Sequence, residues 1–157
     1  MLWLTFSIGS VRYAVDTRMV LQVVPRVALR RVPGTAAYVM GLLDQGGTVC
    51  PVVDLGMRLE NRPCASRLST RIIVAQIEHQ GQPVPLGLVA EGVTDVREVE
   101  GSAPAAEPRT VSPAAVGDLL GPVVRVGDEL VQWIEVSRVL SDDERDWLYA
   151  RLASPTT

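Results

Sequence analysis

The sequence predicts an all-β protein: two small five-stranded β-barrels packed together as one domain over residues 1–157, with a short C-terminal helix at residues 141–153. Three observations predict it. Valine is the commonest residue, 25 of 157, and its branched side chain suits a pleated, half-buried surface better than a helix. Short apolar runs alternate with Gly-containing turns along most of the chain. Two stretches also repeat each other, "GLLDQGGTVCPVVDLGMRL" and "GPVVRVGDELVQWIEVSRVL". Each begins at Gly, turns at a Gly-containing pair and returns as an apolar strand. Each then places an acid between two aliphatics (Asp54, Glu135) and ends in Arg and Leu (Arg58-Leu59; Arg138, Leu140). A weaker echo relates "FSIGSVRYAVD" to "IEHQGQPVPLGLVAE". Repeated units of about five short strands, punctuated by Gly, fit small barrels better than an open sheet.

The elements follow in order. "LWLTFSI" and "VRYAV" flank Gly9-Ser10 and read as a hairpin, and "MVLQVV" before Pro25 is a further strand. Pro33-Gly34 marks a loop. "YVMGLL" and "TVCPVVDL" flank Gly46-Gly47, whose positive-φ tolerance makes the pair a hairpin tip rather than a reactive loop. Pro51 points to an edge or bulged position in the returning arm. Residues 60–70 are polar and loop-like, and "RIIVAQI" is the clearest buried strand. Gly81 turns it back into "PVPLGLVAEGV", followed by "VTDVREV". Residues 100–118, rich in Ala, Pro and Ser, read as an extended crossover interrupted by proline. "GPVVRV" and "ELVQWIEV" close a final hairpin over Gly127-Asp128. Ser141 with Glu144 three residues later is a capping-box pattern, and Trp147, Leu148 and Leu152 continue at helical spacing.

Composition narrows the function. Hydrophobic residues make up 47% of the chain and aromatics only 4%, so the core is aliphatic. The net charge of −3 and pI near 5.2 disfavour a phosphate-backbone binder. All 15 basic residues are arginines. Cys50 and Cys64 lack a CxxC partner or a second metal-type ligand nearby, and read as ordinary reduced thiols. His79, the single histidine, lies in the polar stretch Glu78–Gly81 and reads as a solvated turn residue, which excludes multi-His zinc sites. There is no basic leader before the first apolar run and no span of 18 apolar residues, so the expectation is a cytoplasmic protein without direct membrane insertion. No triad, P-loop, HExxH or carboxylate pair with a base is present, and neither catalytic residues nor a cofactor is expected.

The ordered set Pro33, Tyr38-Val39, Gly41, Gly47, Pro51-Val52, Asp54-Leu55, Gly87, Val93 and Val96 resembles the CheW-like domain, from Phe6 to about Leu140. The resemblance implies two SH3/OB-like five-stranded barrels sharing a hydrophobic interface. It implies a non-enzymatic adaptor that couples the cytoplasmic tip of a methyl-accepting chemoreceptor to the regulatory domain of a CheA-type histidine kinase, associated with membrane receptor complexes. Residue by residue, Val20, Gln22 and Val23 match the receptor- and scaffold-facing segment. Gly41 matches a position where side-chain bulk disturbs binding. Arg71 matches a groove-facing position, while Gly87 and Val96 match positions that bear on kinase contact. Three departures stand out. Gly46 occupies the place of the family's turn arginine, Ala90-Glu91 replaces a Val-Asp pair, and Gln22 replaces an acid. They imply a divergent paralogue in an alternative chemosensory system, of the kind that regulates a second-messenger output or surface sensing.

Two other classes compete. An OB-like nucleic-acid-binding module requires a basic groove with exposed aromatics, against which the charge and aromatic content both weigh. A small hydrolase requires a His/Cys/acid constellation that the chain lacks.

Overall fold

A computed structural model describes residues 2–98 and 119–152. The expected crossover at residues 100–118 lies outside the described residues. Among those described, nine strands and two α-helices are formed: β1 (Leu2–Ile8), β2 (Val11–Asp16), β3 (Val20–Pro25), β4 (Val39–Gln45), β5 (Thr48–Asp54), α1 (Leu55–Glu60), β6 (Arg71–His79), β7 (Gln82–Glu98), β8 (Leu120–Val126), β9 (Glu129–Ile134) and α2 (Asp142–Arg151). Single 3₁₀ turns precede β3 (Thr17–Met19) and follow β9 (Val136–Arg138).

The hairpins read from the sequence form at Gly9-Ser10, Gly46-Gly47, Gln80-Gly81 and Gly127-Asp128. The two repeated stretches become the β4–β5 and β8–β9 hairpins. In each, the returning strand pairs parallel with a strand from elsewhere, β5 with β7 and β9 with β2. Each then ends on its acid and enters a helical turn. Asp54 caps α1 by accepting the Met57 N–H. Glu135 opens the 3₁₀ turn but turns its carboxylate to the Trp133 indole N–H, 3.1 Å away. Asn61, in the left-handed region at φ 56°, ends α1 and donates its N–H back to the carbonyls of Gly56 and Met57.

The expected pair of closed five-stranded barrels does not form. The strands make one continuous nine-stranded mixed sheet in the order β3-β6-β7-β1-β2-β9-β8, with β5 branching from β7 and β4 from β5. Two features keep it open among the described residues. The stretches "PVPLGLVAEGV" and "VTDVREV" are one strand of 17 residues, β7. It pairs with β6 through Gln82–Ala90, with β5 at Gly87–Val89, and with β1 through Glu91–Glu98. The two halves therefore share a strand instead of each closing on its own. On the far side, the segment between β3 and β4 is non-extended around Pro33, and among the described residues β3 does not pair with β4; only Arg30, five residues beyond β3, bridges to Leu42 of β4. A ladder there would be needed to close that half.

One aliphatic core serves both halves. Phe6, Val15, Val52, Ile73, Leu88, Val89, Ile134 and Leu140 belong to the same buried cluster, each contributing about 1.5–3 kcal/mol by leaving water. Leu42 is only half-buried beside the Arg30 bridge. A second cluster, Trp3, Ala14, Val131 and Trp133, has its two indole rings 4.7 Å apart.

α2 closes over this core. Ser141 and Glu144 form the capping box. The Tyr38 hydroxyl donates to the Glu144 carboxylate, and the buried Arg58 guanidinium stacks on the Tyr38 ring and donates from Nε to the Val139 carbonyl at 2.9 Å. His79 is not a solvated turn residue. Its side chain is 13% exposed, stacked on Tyr149 and 3.6 Å from the Asp146 carboxylate, because α2 packs over the β6 end of the hairpin.

Candidate functional site

Strand β3 displays the first group of candidate residues. It follows a tight reversal in which the Asp16 carboxylate accepts the Arg18 N–H and pairs with the Arg18 guanidinium at 2.8 Å. Among the described residues, β3 pairs with β6 alone, as an edge strand. A register shift between Val20 and Gln22 bulges Leu21 outward, leaving it 56% exposed. Val20 and Val24 pack toward the core, while Gln22 and Val23 face out, Val23 at 37% exposure. An edge strand with outward apolar groups is a template for another chain. Leu21 was not among the sequence candidates, since plain alternation gives no sign of a bulge.

The remaining candidates occupy different environments. Gln22 pairs with Val74, Val74 with Gly87, Gly87 with Val52, and Val52 with Gly41. The structure thus sets Gln22, Gly87 and Gly41 in one cross-strand row. They do not share one surface, because Gly41 and Gly87 are buried. A Cβ on Gly87 would lie 2.9 Å from a Val52 methyl and 3.1 Å from an Ile72 methyl. Gly41 has φ +148° at a bulge opposite Val52 and Val53. A Cβ there would lie 2.9 Å from the Arg30 carbonyl carbon and 3.2 Å from the Leu29 Cβ. Its bare backbone lets the Arg30 segment bond to Leu42 in both directions, N–H to carbonyl at 3.1 Å and 2.7 Å.

Arg71 opens β6, half-buried between Pro25 and Ala90. Gly46 sits at the exposed hairpin tip with φ +59°, and a Cβ added there would meet nothing within 4 Å. Val96 lies in the other half, paired with Leu4.

Asp54 answers the question of a reactive loop. It is buried, and besides capping α1 it accepts the Cys64 N–H at 3.1 Å. Both its oxygens are used in holding backbone. Burial pushes the Cys50 thiol up to about 12. Burial, reinforced by the adjacent Asp54 carboxylate, raises Cys64 as well. Neither supplies a thiolate at neutral pH. Among the described residues, no three His, Cys, Asp or Glu side chains are grouped to hold a metal, and no helix is long and apolar enough to cross a membrane. The geometry offers surfaces for binding.

A CheW-like domain model matches residues 2–144. The chain belongs to the CheW-like domain family. It is 23% identical over 142 residues to the chemotaxis protein CheW of Klebsiella aerogenes, spanning 90% of this chain and 82% of that one. It is 25% identical over 138 residues to the chemotaxis protein CheW of Helicobacter pylori, spanning 88% and 80%. The crystal structure of the scaffolding protein TtCheW from Thermoanaerobacter tengcongensis superimposes with a TM-score of 0.74 at 21% identity, over 91% of this chain and 89% of that one, and so shares its fold. CheW-like proteins are non-catalytic adaptors of chemotaxis signalling that in general bridge receptors and CheA kinases, and this chain is an adaptor of that type.

Proposed function

We propose that this CheW-like chain couples the cytoplasmic tip of a methyl-accepting chemoreceptor to the regulatory domain of a CheA-type kinase, in a chemosensory pathway separate from standard chemotaxis. In this reading β3, through Gln22 and Val23 with Val20 and Arg71 behind them, faces the receptor helix. Val96 lies on the kinase side, and Gly87 acts by permitting close packing of β5, β6 and β7 rather than by contact. The observation that carries the separation is Gly46. The family's turn arginine offers five donors in a planar fork suited to a carboxylate. Among the described residues, no guanidinium stands within 4 Å of where a Gly46 Cβ would lie. Arg12 and Arg71 are the two arginines that could replace it from a neighbouring strand, and Arg12 is engaged elsewhere, donating to Ser7 and Thr5 at 2.9 Å and facing Glu129.

The test is complementation of a strain lacking its own coupling protein, at matched expression. The unmodified chain is expected to fail and Gly46→Arg to restore swarming at least in part. Full restoration by the unmodified chain refutes the separation. Titration with the regulatory domain of the kinase from the chain's own source tests the coupling itself, and no binding at high micromolar concentration refutes it.

A further inference from the structure

At the end of β3, a groove of about 850 Å³ opens between the segment after Pro25 and the loop after α1. Arg26, Arg31 and Arg67 line it, together with Met40, Met57, Val27 and Leu68. Leu68 is 98% exposed and Val27 48%. The charge here runs against the net −3 of the chain. Asp54 is the one acid in the lining, and its carboxylate is committed to the Met57 and Cys64 N–H groups. Four arginines elsewhere are matched: Arg12 faces Glu129, Arg18 holds Asp16, Arg62 meets Glu60, and Arg145 meets Asp142. Among the described residues, the guanidinium groups of Arg26, Arg31 and Arg67 meet no carboxylate.

We propose that this groove docks an acidic peptide segment of a partner protein, with apolar side chains seated on the methionines and carboxylates held by the three arginines. Guanidinium groups bind carboxylates through paired hydrogen bonds. Flexible thioethers adapt to varied apolar side chains. A nucleic-acid strand is the weaker match, because among the described residues no aromatic ring lines the groove to stack a base. The site is additional to the β3 face and requires neither the receptor tip nor the kinase regulatory domain to occupy it.

The experiment pans a random twelve-residue peptide library, displayed on phage, against the immobilised full chain. Enriched peptides are expected to combine Asp or Glu with Leu, Met or Phe. Their affinity, measured by fluorescence anisotropy, should fall at least tenfold in the combined Arg26→Ser, Arg31→Ser, Arg67→Ser variant, and fall again as salt rises. Arg125→Ser with Arg138→Ser, a change of charge elsewhere, should leave it within twofold. These arginines hold no partner side chain among the described residues, so the variants keep the parent's melting temperature, checked by circular dichroism. No enrichment, enrichment of peptides without acids, or equal binding to the triple variant overturns the proposal. So does arginine-dependent binding of an oligothymidylate tighter than that of the selected peptides. Kinase-domain binding is measured on the same proteins. Its absence from the parent chain would sink the coupling function and leave the groove standing, whereas its persistence in a triple variant that has lost the peptide separates the two sites.

Discussion

Replacing Gly41 by alanine tests the claim that this buried glycine supports a loop. The residue sits at φ +148°, where a side chain is strained, at a cost on the order of 1–3 kcal/mol. The added methyl also enters space held by the Arg30 backbone, with the Arg30 carbonyl carbon 2.9 Å away. Backbone gives way less readily than a side-chain tip, so the segment before β4 must lift from the strand. Lifting breaks the two Arg30–Leu42 hydrogen bonds, worth about 0.5–1.5 kcal/mol each. The combined loss is about 2–6 kcal/mol, or roughly 4–24 °C in melting temperature for a domain of this size. Urea denaturation followed by tryptophan fluorescence measures it, with the m-value checking that the transition stays two-state. Gly46→Ala is the control. It shares a positive φ but has open space around it, so it should lose only about 1 kcal/mol. A Gly41→Ala midpoint within about 0.5 kcal/mol of the parent, or equal losses at the two sites, would refute the reasoning.

Three further outcomes are expected. Ile73→Ala, at a fully buried site flanked by β3 and β7, should lose about 2–5 kcal/mol in the same urea assay. Burial alone would raise the Glu144 carboxyl, but hydrogen bonds from Tyr38 and Ser141 and the charge of Arg58 bring it below its ordinary value; a lowered folded value gives stability that is present above the unfolded pKa of about 4.3 and is lost as pH falls through the folded one, so Glu144→Gln should lower the plateau at pH 6–8 and make the acid limb of the melting curve shallower. Cys50 and Cys64 are buried with raised thiol pKa values, so Ellman's reagent at pH 8 should label neither in the native protein and both in denaturant; rapid native labelling would contradict the packing around Asp54.

Much of the local structure was legible in the sequence because it depends on neighbours in the chain. Gly46-Gly47 between apolar arms needs no distant contact to turn. Ser141 and Glu144 cap a helix within one turn. The buried aliphatics of β6 announce themselves as a run with no polar face to spare. What escaped depended on residues far apart. Arg58, on a helix that its own segment hardly signals, is buried where Tyr38, Val139 and Glu144 converge on it from distant parts of the chain. His79 is sheltered by a helix more than sixty positions later. The Leu21 bulge is a property of the pairing of β3 with β6, which the sequence of β3 alone does not show. The groove needs Arg26 and Arg67 on either side of it, forty residues apart in the chain.

By itself, the sequence determined a β-rich chain with an aliphatic core, the positions of its hairpins, and membership of a family recognised by ordered Gly, Pro and Asp positions. Period-two burial and glycine turn geometry are local properties, and they survive reading one residue after another. Closure is not local. Five short strands and a repeat suggest a barrel, but a barrel needs a ladder between its first and last strands, and the free energy of that ladder depends on whether the connecting backbone can lie flat beside both. Here the Arg30 segment reaches β4 at a single bridge, and β7 runs unbroken through both halves. Only the tertiary structure decided that the sheet stays open and that Arg26, Arg31 and Arg67 come to face one groove.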